Sequence, residues 1–323
     1  MDIPQDLATA TQVWRVEHDR PGGPEVLTWR KGPLPPPAPG EARVAVRAAS
    51  VNPVDGKIRA GRLPGLPPAF PATTGRDGAG RVLAVGPGVA PGWLNRRVAF
   101  LAPRGEGTWG MAVNLPVAAL AEIPAGVDDL AAAALPLAGI SAARALALGG
   151  LWPLRPAPGL RVLVHAGAGG VGRIAVQLAR LTGAEVHATA SSASRAAVEA
   201  LGARLWAYDV EDFTALRDVD LVIDTMGGEV HHRSHAVLRP GGLIACLRAA
   251  PFADRSAETG MRVEIAEIAP DAPMLAALLD LVAQGQLDPG PAQVLPASGH
   301  AEAQRLSDSG HLRGKLVLDF GAP

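Results

Sequence analysis

Hydrophobic and polar positions change rhythm twice along the chain. Between residues 12 and 122, short stretches alternate or run β-branched, at 13–17, 43–51, 80–85, 97–101 and 111–116. Gly/Pro clusters at 33–40, 61–71 and 86–92 separate them. The pattern predicts short strands joined by turn chemistry, an antiparallel and loop-rich zone. From about 123 to 270, strand and helix alternate. Residues 161–165 read as an apolar strand, 172–183 as a helix with Ile174, Val176, Leu178 and Leu181 on its apolar face, and 185–190 as the next strand. A helix at 194–202 and strands at 205–208, 221–224 and 243–247 continue the series. Repeated strand–helix units predict a parallel sheet covered on both faces. The tail, 271–323, carries one helix (272–284) and a last strand (315–320). It is expected to rejoin the first zone, which ends without a closing helix.

Composition narrows the class. The 323 residues suit about two domains. Hydrophobic residues at 48% and charged residues at 19% describe an ordinary globular chain. A formal net charge of −1 lacks the basic excess of a nucleic-acid binder. One cysteine, Cys246, leaves no disulfide framework and no multi-cysteine metal site. The acidic start, Met1 to Asp6, lacks the layout of a signal peptide. The longest weakly polar stretch, 130–143, falls short of the ~18–20 residues that span a bilayer. A cytoplasmic protein with no membrane partner is expected.

The strongest chemical motif is Gly167-Ala168-Gly169-Gly170-Val171-Gly172, a G-x-G-x-x-G between an apolar strand and an amphipathic helix. In that context Gly167 serves the tight turn, Gly169 the approach of a pyrophosphate, and Gly172 the packing of helix on strand. Phosphates would sit at the helix start, where the dipole favours negative charge. Cofactor choice is read at the end of the next strand. An NAD site carries an acid there; here Ser191, Ser192, Ser194 and Arg195 follow the strand, and Glu185 lies at its far end. Hydroxyls and an arginine suit a 2′-phosphate, so NADPH is the expected cofactor. A plain helix cap at Ser191 or Ser194 is compatible with that role.

Further segments recur around this loop: Ala49-Ser50-Val51-Asn52-Pro53-Val54-Asp55-Gly56-Lys57, Gly75-Arg76-Asp77-Gly78-Ala79-Gly80 and Leu135-Pro136-Leu137-Ala138-Gly139-Ile140-Ser141-Ala142 before it. Asp224-Thr225-Met226-Gly227-Gly228, Pro240-Gly241-Gly242 and Gly314-Lys315-Leu316-Val317-Leu318 come after it. In order and spacing the chain resembles the medium-chain dehydrogenase/reductases, and among them the zinc-independent, zeta-crystallin-like quinone and enone reductases. The resemblance implies an α/β architecture. A GroES-like β-rich catalytic domain (1–122 and 271–323) would be interrupted by a Rossmann doubly wound parallel-sheet domain that binds NADPH (123–270).

Zinc members of that family carry a cysteine where Asn52 stands and a histidine where Arg76 stands. Neither replacement is a zinc ligand, and a guanidinium repels the ion. Without a Lewis acid, hydride transfer to a quinone, an enone or another activated double bond is the expected reaction. The resemblance makes Asn52, Asp55 and Lys57 the catalytic candidates, with Lys57 stabilising an enolate or holding the cofactor. A surface lysine and a turn-forming Asn before proline are the plain alternatives. It also places Ser141, Tyr208, Met226, Gly227 and Lys315 against the cofactor. Tyr208 is the only tyrosine and is expected as a wall, so the last proton would come from water.

Other features carry less. His231 and His235 have metal-compatible i, i+4 spacing but no third ligand in the sequence, and are expected on a solvated helix face. Cys246 is expected buried and inert. Trp109 follows Gly107-Thr108 and is followed by Gly110-Met111, where the family has an aromatic followed by Ala-Glu. The pocket wall on this side is therefore left open. Residues 261–268 alternate as an edge strand, which the family pairs across a dimer two-fold, so a homodimer is expected. The 61–70 segment is expected as a mobile mouth loop. An enoyl-thioester reductase of polyketide or fatty-acid assembly, and a non-enzymatic NADPH-binding structural or RNA-binding protein, stand as alternatives.

Overall fold

The computed structural model describes residues 6–63, 69–247, 251 and 255–321; half of the expected 61–70 loop, at 64–68, lies outside them. The chain opens with β1 (Gln12–His18), β2 (Thr28–Pro33), β3 (Glu41–Val51), α1 (Pro53–Arg59), β4 (Ala72–Thr73), β5 (Asp77–Val85), β6 (Arg97–Leu101), β7 (Ala112–Pro116) and β8 (Leu120–Glu122). Helices α2 (Asp129–Ala134) and α3 (Pro136–Leu148) follow. Then come β9 (Arg161–Val164), α4 (Gly170–Leu181), β10 (Glu185–Ala190), α5 (Arg195–Ala200), β11 (Arg204–Ala207), β12 (Val219–Asp224), α6 (Gly228–Ser234), β13 (Leu238–Cys246), α7 (Ser256–Thr259) and β14 (Arg262–Ile265). The chain closes with α8 (Ala272–Ala283), β15 (Pro291–Pro296), α9 (His300–Asp308) and β16 (Lys315–Asp319).

Two compact units result. One holds Met1–Leu137, Ala269–Gly285 and Pro289–Pro323; the other holds Ala138–Ile268 and Gln286–Asp288. The division falls after Leu137 rather than near 122, because α2 buries Ala132, Ala133 and Ala134 and packs on β3 and β5. The weakly polar 130–143 stretch is therefore two helices, broken before Pro136, where proline opens α3. Among the described residues, no helix is long and apolar enough to cross a membrane.

In the first unit, one sheet runs β15-β16-β3-β5-β6-β8 and a smaller one β2-β1-β4. Strand β3 organises the larger sheet. One edge pairs with β5; the other is shared between β7, alongside Glu41 to Ala45, and β16, alongside Ala48 to Val51. The tail strand thus completes an edge that the head leaves half open, and the backbone groups of Ala48 to Val51 gain partners. Val44, Val46, Val82, Val98, Phe100, Trp109, Leu316 and Leu318 share one core.

In the second unit, six strands pair in parallel in the order β11-β10-β9-β12-β13-β14. This is the doubly wound dinucleotide-binding order, which reverses between β9 and β12. Its central strands are apolar runs rather than alternating ones because helices cover both faces; β12 is buried at five of six positions. A ligand crevice in such a sheet opens at the carboxyl ends of the two strands flanking the reversal.

Candidate active site

The glycine loop leaves β9 at that reversal. Ala166 takes the left-handed backbone conformation (φ 51°), a role the sequence reading gives to Gly167. Gly167 is needed for packing instead: a Cβ there would lie 2.5 Å from Ala188 Cβ on β10. At Gly172 a Cβ would lie 2.1 Å from the Ala166 carbonyl oxygen, so only glycine lets α4 start this close to the loop. Gly169 differs from both. Its nearest neighbour would be 3.2 Å away and it is partly exposed, with Ala168, Gly170 and Val171. That open cradle, at the N-terminus of a twelve-residue helix, fits the pyrophosphate of a dinucleotide.

His165 anchors the loop from below. Its Nδ1 lies 3.0 Å from Thr189 Oγ1 on β10 and its Nε2 2.8 Å from Ser234 Oγ on α6. Burial pushes its pKa down to about 4, so it is neutral. Thr225 Oγ1 donates to the His165 carbonyl (2.8 Å) and ties the ends of β9 and β12 together. Asp224 ends β12 and shapes the next turn: its Oδ1 accepts from the Met226 and Gly227 amides, both at 2.8 Å. Met226 is left 44% exposed. Oδ2 accepts from His231 Nδ1 (2.8 Å) and lies 3.8 Å from Cys246 Sγ. His231 and His235 are therefore buried, not on a solvated face. Asp224, His231 and Cys246 form a buried trio of ligand-type atoms. The carboxylate's hydrogen bonds already account for this trio, as the brace of the Met226–Gly227 turn. Ser141 is buried on α3.

The ribose end departs from the sequence reading. Asp209, just after β11, accepts from Ser192 N (2.8 Å) and Ser192 Oγ (2.6 Å). Arg195 pairs with Glu199 (3.2 Å) and Glu211 (3.0 Å). The expectation that no acid stands here is corrected: acids arrive from the neighbouring strand and helix, not from the end of β10. Parallel pairing of β10 with β11 puts both carboxyl ends side by side, and the Tyr208-Asp209 pair closing β11 was the available sign. Ser191 Oγ is 3.2 Å from Ser194 Oγ. Tyr208 stands 62% exposed at the same end of the sheet, a free aromatic face rather than a strand-core residue.

The first unit gathers a second polar cluster. Asn52 precedes α1, whose third residue, Asp55, accepts from the Asn52 amide N–H (2.8 Å), half of a capping box. Asn52 Nδ2 donates to Ser50 Oγ (3.2 Å) and Asp77 Oδ1 (2.8 Å). Its Oδ1 accepts from Lys315 Nζ, brought in by β16. Asp77 also accepts from Ser50 Oγ (2.7 Å) and the Leu137 amide (2.9 Å). Asn52 and Lys315, expected at the substrate or cofactor, are thus committed inside the unit. Burial lowers the Lys315 pKa against the pull of Asp77 and Asp55. Lys57, two residues beyond Asp55, projects to another face of α1 and is partly exposed, its pKa held down by burial and Arg62.

Asp55, Arg76, Thr74, His18, Ile58 and Phe70 line a cavity of about 90 Å³. Burial, reinforced by Asp77, raises Asp55 to about 7 against Lys315 and Arg76. Arg76 is buried, donating to the Ala102 carbonyl (3.1 Å), and its pKa is lowered by burial. Trp109 is wholly in the core, donating to the Ser50 carbonyl (3.1 Å). The residues at the zinc positions do not fit the metal. A guanidinium offers no lone pair, and both ends of the Asn52 amide are engaged. Asp77 and Thr74 are site residues that the sequence reading did not single out.

Sequence models of two families match: the alcohol dehydrogenase GroES-like domain over 38–124 and the zinc-binding dehydrogenase over 201–318. The quinone oxidoreductase of Coxiella burnetii superposes with a TM-score of 0.87 at 30% identity, covering 95% of this chain and 99% of that one. The Escherichia coli quinone oxidoreductase complexed with NADPH gives 0.84 at 26%, over 95% and 99%. Among curated proteins, polyketide synthase GfsB of Streptomyces halstedii is 38% identical over 245 residues, 72% of this chain and 4% of that protein. The chain therefore spans a small fraction of such relatives. With a GroES-like unit, a Rossmann unit and these likenesses together, the chain belongs to the medium-chain dehydrogenase/reductase superfamily, in its quinone oxidoreductase-like branch.

Proposed function

We propose that this protein is an NADPH-dependent reductase that passes a hydride to a quinone, an enone or another activated double bond without zinc. The observation that carries the reading is a dinucleotide cradle at the strand-order reversal in the same chain as buried Asn52 and Arg76, which stand where zinc relatives keep metal ligands. Bound reduced nicotinamide supplies the hydride. Gly167 to Gly172 hold its pyrophosphate, Tyr208 walls the adenosine, and Ser191, Ser192 and Arg195 take the 2′-phosphate. Arg195's present partners are exposed ion pairs worth little, so a phosphate dianion displaces them. Met226 and Gly227, braced by Asp224, face the nicotinamide side with Ser141. Lys315 acts by holding Asn52, and Lys57 remains a candidate for charge stabilisation. The protein is read as cytoplasmic, and as a homodimer paired through β14, the terminal strand of its sheet; light scattering at micromolar protein checks the second point.

A second reading is favoured by one observation: the identity to GfsB, 38%, exceeds that to the Coxiella quinone oxidoreductase, 30%. It makes the chain an enoyl-thioester reductase of polyketide or fatty-acid assembly. NADPH oxidation with 1,4-benzoquinone, 2-cyclohexen-1-one and an enoyl thioester in turn separates the two. Failure with all three, despite NADPH binding, overturns both and leaves a non-enzymatic NADPH-binding protein.

A further inference from the structure

A buried histidine joins the glycine loop to helix α6. His165 is 0% exposed, and its ring packs edge-on against Phe213 with centroids 4.9 Å apart. Both ring nitrogens meet hydroxyls that are themselves engaged. Ser234 Oγ on α6 donates to the Val230 carbonyl (2.6 Å). A hydroxyl has one proton, so Ser234 Oγ must accept from His165 Nε2, 2.8 Å away. With the imidazole neutral, Nδ1 then carries the lone pair, and the Thr189 hydroxyl, 3.0 Å away, donates to it. Thr189 Oγ1 in turn accepts from the Ala166 amide (3.3 Å). Only the Nε2–H tautomer satisfies all of these groups.

Four hydrogen bonds therefore run head to tail, from the Ala166 N–H through Thr189 and His165 to Ser234 and the Val230 carbonyl. In such a chain each bond polarises the next. Its loop end meets the most constrained residue of the cradle, since Ala166 holds a left-handed conformation (φ 51°) that favours glycine. The Thr189 carbonyl accepts from the Gly167 amide (2.8 Å), and the Ala166 carbonyl from the Gly169 amide (2.8 Å). The loop amides at 166, 167 and 169 are thus engaged inward, which leaves the first-turn amides of α4 for a phosphate. A Cβ on Gly172 would lie 2.1 Å from the Ala166 carbonyl oxygen, so the place of that peptide fixes where the first turn begins.

We propose that His165, as its Nε2–H tautomer, is a positioning residue for the coenzyme: through Thr189 it holds the Ala166 peptide, and with it the pyrophosphate cradle, in place against α6. The inference rests on the coenzyme-binding part of the reductase reading and lies wholly within the second unit. Thr225 Oγ1, on the turn after β12, donates to the carbonyl of the same histidine (2.8 Å). One residue thus ties the glycine loop both to the end of β10 and to the segment that follows β12.

The test reads the proton and the coenzyme separately. Long-range proton–nitrogen spectra of the full chain, with isotope-labelled histidine, show which ring nitrogen is protonated. The signals lost in His165→Gln identify the residue. Wild type is expected to show Nε2–H alone at neutral pH. Thr189→Val keeps the shape of the side chain and removes both hydroxyl bonds. It is expected to weaken NADPH, and ADP as a pyrophosphate probe, about tenfold, while Thr189→Ser restores wild-type affinity. Ser234→Ala removes a hydroxyl that bonds His165 and Val230 rather than the loop. It is expected to admit the second tautomer and to weaken both ligands in the same direction, and it tests the chain should Thr189→Val not fold. An Nδ1–H or mixed tautomer in wild type, or unchanged affinities in the folded variants, overturns the proposal and leaves the coenzyme reading in place. No binding of either ligand by wild type overturns both. The expected tautomer and affinity losses, with no turnover of the three substrates, keep the positioning role and end the reductase reading.

Discussion

Lys315 and Asn52 lie 263 positions apart in the chain and meet in a buried hydrogen bond from Nζ to Oδ1. The bond joins the last strand to the start of α1. It also places a cation beside Asp77 and Asp55. Lys315→Met leaves the Asn52 carbonyl and the nearby carboxylates without this partner. The expected loss is about 3–5 kcal/mol, the usual result of removing one side of a buried charge network. Urea unfolding checks it; an unchanged midpoint would show that the tail strand holds without the lysine.

Asp55 gives stability a pH dependence of defined sign. Its pKa is about 7 in the fold against an ordinary 3.8, so the folded state holds a proton that the unfolded chain has released. That contribution is complete below about pH 4 and is lost as pH rises through 7, to an extent of about 4 kcal/mol. Asp77, Arg76 and Lys315 surround the group, and His18 and Glu106 line the same cavity. Asp55→Asn is expected to flatten the stability profile between pH 4 and 7 and to raise stability at pH 8. A profile unchanged by the substitution would place the titration elsewhere.

Two glycines of one loop should fail in different ways. Gly172→Ala puts a methyl 2.1 Å from the Ala166 oxygen and is expected to cost about 2 kcal/mol or more. Gly169→Ala meets nothing closer than 3.2 Å. It should fold with a smaller loss than Gly172→Ala, since the Ala166 oxygen has to give by only a few tenths of an ångström, and lose NADPH affinity about tenfold, because the methyl occupies the phosphate's approach. Thermal melts paired with coenzyme titration separate the effects. Equal melts and equal affinities for both variants would remove the loop from cofactor binding.

Arg195→Ala is expected to weaken NADPH about tenfold, the scale of a lost charge-assisted hydrogen bond, and to leave NADH unchanged. Asp209→Asn should do the reverse, strengthening NADPH, since a carboxylate held by Ser192 opposes a 2′-phosphate. Calorimetric titration of both variants with both coenzymes measures this. Parallel losses of NADPH and NADH in Arg195→Ala would show that the arginine does not sense the phosphate.

What local chemistry could specify was readable along the chain. The β10 strand at Glu185–Ala190 has the bounds expected from the alternation of strand and helix along this part of the chain, although it buries His187 and Thr189 as well as apolar residues. The glycine loop was legible because its demands are steric and fall within six consecutive residues. The tertiary structure decided what depends on residues distant in sequence. It set Asp209 against Ser192 across two parallel strand ends and buried His231 on Asp224. It joined Thr74 and Arg76 to Asp55 around one cavity, and spent the Asn52 amide on Asp77 and Lys315. Sequence periodicity reports which face of an element is apolar. Which polar groups meet, and which are left unmet, depends on strand order and register, and those are set only when the sheets assemble.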